Sequence, residues 1–265
     1  NRKNKVLSVE GNVIINDNVN NIITEAKKVI YFKKQEKLIS EGKTKIILEN
    51  NHTINSKDIT LLLDKNEISS NESTTVSDLE NNFYTTKKFR YLIKKKLFRG
   101  SEVVLTTKNE DEYIFNDAFI NLETKEIHGK DFEANLNELT FGNSNNEPRF
   151  KGNKVYSNDN ITNISKGAFT TCKKRTNDKC PAWLVQADEV EHDKNKKTIY
   201  YKKAWLKVYD VPVMYFPYFF HPDPSVKRQS GFLIPQIGDS QNLGSSAYIP
   251  YFYVLNDRED LTFKP

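Results

Sequence analysis

The most constraining feature of the chain is where its prolines fall. None precedes Pro148, and eight of the nine lie from Pro181 onward. A proline-free stretch of that length leaves uninterrupted ladders open to the backbone, because proline cannot donate a ladder hydrogen bond. The local patterns agree. Val13-Ile14-Ile15, Ile46-Ile47-Leu48, Ile59-Thr60-Leu61-Leu62-Leu63, Val103-Val104-Leu105 and Tyr113-Ile114-Phe115 are short β-branched or aromatic runs separated by Asn, Asp, Gly and Lys clusters. That alternation signals strands and turns. Phe89, Leu92, Ile93 and Leu97 approach helical spacing, but they fall in step with a repeat, so the segment is assigned to strand.

The repeat has a period near 30. Leu38, Ile68, Leu97 and Ile127 each follow a charged turn and are spaced 30, 29 and 30 apart, with Gly42, Gly100 and Gly129 after them. A unit of that size fits several short strands that stack on their neighbours and bury one continuous face. The predicted fold is therefore all-β, either a filled solenoid or an open jelly roll with an apolar trough. Alternation places Ile59, Leu61 and Leu63 on one face of that trough, with Ile46 and Leu48 on a neighbouring strand.

Composition narrows the function classes. Aromatics reach 12%, which disordered chains lack, and no run of 18 apolar residues is present to form a membrane helix. Barrel strands, whose signal is about ten alternating residues, stay open. The net charge of +5 is spread along the chain rather than concentrated on one element, which argues against nucleic acid and leaves an anionic lipid as a partner. His52, His128, His192 and His221 lack ligand spacing, and no nucleophile elbow, phosphate loop or dinucleotide fingerprint occurs. No catalytic residue, metal or cofactor is expected, and the chain is not read as an enzyme. Cys172 and Cys180 lack zinc and redox spacing. A local disulfide and pairing with a partner outside this sequence both stay open, and either implies an oxidising compartment.

From Pro181 the character changes to aromatic, proline-interrupted strands. Phe169-Thr170-Thr171-Cys172, Pro181-Ala182-Trp183, Val211-Pro212-Val213, Tyr215-Phe216-Pro217-Tyr218, Arg228-Gln229-Ser230-Gly231-Phe232-Leu233-Ile234-Pro235 and Pro250-Tyr251-Phe252 follow in that order. Together they resemble the LptD family of lipopolysaccharide-assembly proteins, also called organic solvent tolerance proteins, of Gram-negative outer membranes. The resemblance is specific from about residue 167, and the repeats before it resemble the family's OstA-like periplasmic domain more loosely.

The resemblance implies a periplasmic β-jelly roll over 1–226 and the first strands of an outer-membrane β-barrel over 227–265. It implies a carrier of lipopolysaccharide, with a lipoprotein plug, LptE, in the barrel and a periplasmic bridge protein, LptA, joined by strand addition. It also implies a lateral gate flanked by Pro235 and Pro250, and barrel cysteines as partners for Cys172, against which a Cys172–Cys180 bridge is the rival. The chain ends mid-pattern and is expected to be part of a longer protein. The competing function is a stand-alone periplasmic scaffold of the same repeat type, which has no use for barrel strands. A carbohydrate-active solenoid is a third reading, and it requires carboxylates clustered on one sheet face.

Overall fold

The computed structural model describes residues 5–49, 51–137, 147–173, 181–222, 226, 228–233, 236–240, 244–256 and 258–264. They fall into two units, Asn1–Phe220 and His221–Pro265. The fold is all-β, with two single-turn 3-10 segments, Lys33–Gln35 and Ile93–Lys95, among the described residues.

The first unit is an antiparallel meander. Its long rungs are β1 (Val6–Asp17), β2 (Ile22–Phe32) and β3 (Lys37–Ile47), then β10 (Leu97–Thr106), β11 (Glu112–Asn121), β12 (Ile127–Asn135), β13 (Arg149–Ser157), β14 (Ile161–Thr170), β15 (Trp183–Asp193), β16 (Thr198–Val208) and β17 (Val211–Pro222). Between β3 and β10 lie three rungs broken at mid-length: β4 (Thr53–Lys57) with β5 (Thr60–Leu62), β6 (Glu67–Ser70) with β7 (Thr74–Ser77), and β8 (Phe83–Thr86) with β9 (Lys88–Leu92). The two halves of β3 pair separately with β4 and β5, and β10 closes the series by pairing with both β8 and β9. The segment with ambiguous spacing is strand β9 running into a 3-10 turn.

The 30-residue period is two rungs. Leu38, Ile68, Leu97 and Ile127 all sit at the start of a strand, each just after a residue held at positive φ: Glu36, Asn66, Lys96 and Lys125. Asn21, Asn51, Asn81 and Glu110 repeat the same conformation at the opposite turns. Asn tolerates that region through its short polar side chain, whereas Glu and Lys adopt it at a steric cost.

A second column of irregular backbone runs across the middle of the rungs. Gly11, Gly42, Asp58, Glu102, Asp131, Lys166 and Lys203 have positive φ there. The pairing is interrupted at Glu102 and at Lys166, with the register the same on both sides: Ser101–Asp117 and Val103–Phe115, Ser165–Glu189 and Gly167–Ala187. The paired strands kink together there, which shifts which side chains face inward. Phe98 and Val103 differ in parity, yet both are buried, because the kink at Glu102 lies between them. Phe132 and Gly129 on β12, and Gly167 and Ile164 on β14, are related in the same way.

The bend tightens its inner side, so small residues line it. Gly100, Ala118 and Gly129 stand in register on successive strands, as do Gly167, Ala187 and Ala204. A Cβ on Gly129 would lie 2.3 Å from Phe115 Cδ1. On both sides of this line the inward side chains from Ile22 to Ala204 join one apolar cluster. Phe89 stacks on Phe98 at 5.4 Å and Phe150 on Phe169 at 4.5 Å. Each such side chain contributes about 1.5–3 kcal/mol by leaving water.

The second unit contains β18 (Gly231–Phe232), β19 (Gln236–Ser240), β20 (Gly244–Tyr248), β21 (Tyr251–Val254) and β22 (Asp260–Phe263), arranged as a β18–β21–β22 sheet and a β19–β20 hairpin.

Candidate functional site

The candidate site is the apolar interior of the first unit. Ile46, Leu48 and Ile59 are almost fully buried in its main cluster. Leu61 is half-buried and borders both that cluster and a smaller one of Ala26, Val29 and Leu38, which Val13, Ile15 and Tyr31 flank. Leu63 lies in the turn after β5 and is 39% exposed.

The spacing predicts that Ile46 and Leu48 adjoin the 59–63 strand, and the kink separates them instead. Ile46 pairs with Ile54 on β4, whereas Leu61 pairs with Leu38 at the other end of β3. The five residues thus lie along two halves of a bent pair of rungs.

The interior's polar groups are hydroxyls. The buried polar side chains among the described residues are all Ser or Thr. Most cluster at the kinks, where ladder bonds are interrupted. Ser40 Oγ accepts the Ile59 N–H at 3.0 Å and the Thr44 hydroxyl at 2.7 Å. Ser56 and Thr74 share a hydrogen bond of 2.7 Å, Ser70 donates to the Lys57 carbonyl at 2.6 Å, and Thr86 donates to the Ser101 carbonyl at 2.7 Å. Hydroxyls therefore satisfy backbone groups that the bend leaves unpaired, and the remaining interior is hydrocarbon and aromatic. Burial pushes the phenols of Tyr84, Tyr91 and Tyr113 up to about 12, so they stay neutral across the physiological range. Chemically, such an interior matches hydrocarbon and offers nothing to a charged group.

In the second unit, the two segments that hold Pro235 and Pro250 meet. Gly231 and Phe232 pair with Phe252 and Tyr251, and the Leu233 N–H donates to the Pro250 carbonyl at 2.8 Å. Pro250 is buried, and Pro235 lies outside the described residues. The hairpin β19–β20 is inserted between the segments, which the sequence reading did not anticipate.

Cys172 is half-buried, its Sγ 3.8 Å from the Trp183 carbonyl oxygen, and Cys180 lies outside the described residues. No group of three or more potential metal ligands occurs among the described residues.

The model of the family described as LptD protein matches residues 199–265. LPS-assembly protein LptD of Hahella chejuensis is 34% identical over 148 residues, covering 52% of this chain and 18% of that protein. The protein of the same name in Idiomarina loihiensis is 27% identical over 165 residues (58% and 20%), and that of Shewanella denitrificans is 30% identical over 155 residues (57% and 20%). The chain spans about a fifth of the length of these relatives. The family read from the C-terminal motifs is the one these comparisons find.

Proposed function

We propose that this chain carries lipopolysaccharide through the periplasm toward the outer leaflet of a Gram-negative outer membrane, as its likeness to LPS-assembly proteins suggests. The observation that carries the reading is the bent rung stack, whose inward face is apolar from Ile22 to Ala204 and whose buried polar residues, among the described ones, are all Ser or Thr. Each CH₂ of an acyl chain exposed to water costs about 0.8 kcal/mol, and a continuous apolar path removes that cost along the route. The role is binding and conduction, with no bond made or broken.

Residues 1–226 act as the periplasmic jelly roll and 227–265 begin the barrel. Ile46, Leu48, Ile59, Leu61 and Leu63 line the lipid path, with Leu61 joining the smaller cluster to the larger. The first rung, β1, exposes Leu7, Val9 and Ile14 and receives the strand of a bridge protein such as LptA by β-augmentation. A plug lipoprotein such as LptE fills the finished barrel. Pro235 and Pro250 flank the exit, where the β18–β21 pairing is short. Cys172 pairs with a cysteine beyond this sequence, or locally with Cys180. A scaffold that only bridges proteins is the second reading, favoured by no observation that the carrier reading leaves unexplained.

Cells whose sole copy of the full-length protein bears Leu61→Asp test the proposal. A carboxylate in the path should reduce lipopolysaccharide at the cell surface while the protein still reaches the membrane. Normal surface delivery with Asp at that position contradicts a lipid path through the interior.

A further inference from the structure

At the kink, outside the apolar path, the first four rungs form a notch of about 860 Å³. Its walls bring together Lys27 on β2, Lys43 and Lys45 on β3 and Lys57 on β4, with Asn12, Asn55 and Ser73 beside them. The lining contains one carboxylate, Glu25, which lies 3.8 Å from Lys45 Nζ. The nearby carboxylates are engaged elsewhere: Glu41 pairs with Lys28 at 2.6 Å, and Asp58 accepts the Gly42 N–H at 2.8 Å.

The arrangement of the lysines is not that of an ordinary charged surface. Lys43 stands directly opposite Lys57 in the β3–β4 register, and like charges in that position repel. Neither has an ion-pair partner among the described residues, and nor does Lys27. Lys27 is the single β2 residue facing Gly42 and Lys43 at the register shift between Ala26 and Lys28, and such a shift re-aims side chains. Three lysines without an ion-pair partner among the described residues thus line one concavity, beside the amides of Asn12 and Asn55 and a single carboxylate.

We infer that this notch binds a phosphomonoester dianion, which accepts several charge-assisted hydrogen bonds at once and relieves the Lys43–Lys57 repulsion. On the transport reading above, on which the choice of a lipid-borne ligand rests, the phosphate belongs to the headgroup of the lipid whose acyl chains occupy the interior. The lipid then touches the protein at two chemically distinct places, the apolar path and the cationic notch.

The test is calorimetric titration of the 265-residue chain with inorganic pyrophosphate and with vesicles of phosphatidylcholine containing either phosphatidic acid or phosphatidylglycerol. The wild type should bind pyrophosphate, and Lys43→Gln/Lys57→Gln should bind it about tenfold more weakly. The Lys43→Arg/Lys57→Arg variant should restore binding. Both lysines are exposed, so the Gln pair should melt no lower than wild type, and pyrophosphate should raise the melting temperature of wild type and the Arg variant well above its effect on the Gln variant. Preference for phosphatidic acid vesicles, lost in the Gln variant, assigns the anion to a lipid headgroup. Pyrophosphate binding without that preference assigns it to a soluble phosphate and keeps the notch as an anion site. Equal pyrophosphate binding by wild type and Gln variant overturns the inference. Capture of acyl chains by the interior in the Gln variant is a separate readout, so failure of the notch and failure of the transport reading are distinguishable.

Discussion

The N–H of Ile93 donates to the carbonyl of Asn66 at 2.9 Å, tying one turn of the rung stack to the turn before it. The same bond joins Leu63 to Glu36 and Leu122 to Lys96, each at 2.9 Å. The acceptor is in every case the residue at positive φ that launches the next strand. The 30-residue period is thus a backbone device, with side chains of three types at one conformation.

Glu36 is exposed and holds φ at 46°, so it carries strain without a compensating ion pair among those found. Glu36→Gly should raise stability by about 0.5–1 kcal/mol, the relief of left-handed strain exceeding the added freedom of the unfolded chain. Glu36→Val should lower it. Urea denaturation at equilibrium measures both, and a destabilised Gly variant would show that the strain is absent.

The inner line of the bend is intolerant of added volume. Gly129→Ala places a methyl 2.3 Å from Phe115 Cδ1 and 3.0 Å from Val155 Cγ1, and neither neighbour has room to retreat. A loss of about 1–3 kcal/mol is expected. Gly231→Ala, which meets nothing within 4 Å, is the matched control. Equal stability of the two variants would place Gly129 away from the bend.

Much of this architecture was legible in the sequence, and the reason is periodicity. Short β-branched runs marked the rungs, and Leu38, Ile68, Leu97 and Ile127 marked the turns because each follows a fixed conformation. The kink was not legible. Glu102, Asp131, Lys166 and Lys203 hold positive φ without Gly or Asn, so nothing in residue type announces the kinks. Leu63 falls in the turn after β5, and the break between β4 and β5 sets Ile46 opposite Ile54 and Leu61 opposite Leu38, so simple alternation misplaced both. The lysine notch was hidden for a related reason, because only the register brings Lys27, Lys43 and Lys57 together among 40 basic residues.

Alkaline stability follows from the buried phenols. Tyr84, Tyr91 and Tyr113 ionise near 10 when unfolded and at about 12 when folded, because burial disfavours the phenolate. The unfolded state therefore releases protons first. The stability these groups confer is intact below pH about 10 and is lost as pH rises from about 10 to about 12. Phenolate absorbance should rise cooperatively with loss of β circular dichroism. Ionisation of these three near pH 10 with the fold intact would contradict their burial.

The exit proposal concerns Pro235 and Pro250. Proline lacks the N–H a ladder needs, and the missing bond is worth about 0.5–1.5 kcal/mol. Replacing both with Ala in the full-length protein should strengthen the seam and slow delivery of lipopolysaccharide to the surface, with barrel assembly unchanged. Undiminished delivery would leave the prolines as markers of strand ends.

The central claim is that lipid passes along the inward face of the rungs. Photocrosslinking side chains placed one at a time at Ile46, Leu61 and Thr60 of the full-length protein in cells test it most directly, because Thr60 and Leu61 are consecutive and point to opposite faces of one strand. The account predicts lipopolysaccharide adducts from Ile46 and Leu61 well above those from Thr60. Adducts from Thr60 alone, or equal capture at all three positions, would contradict it.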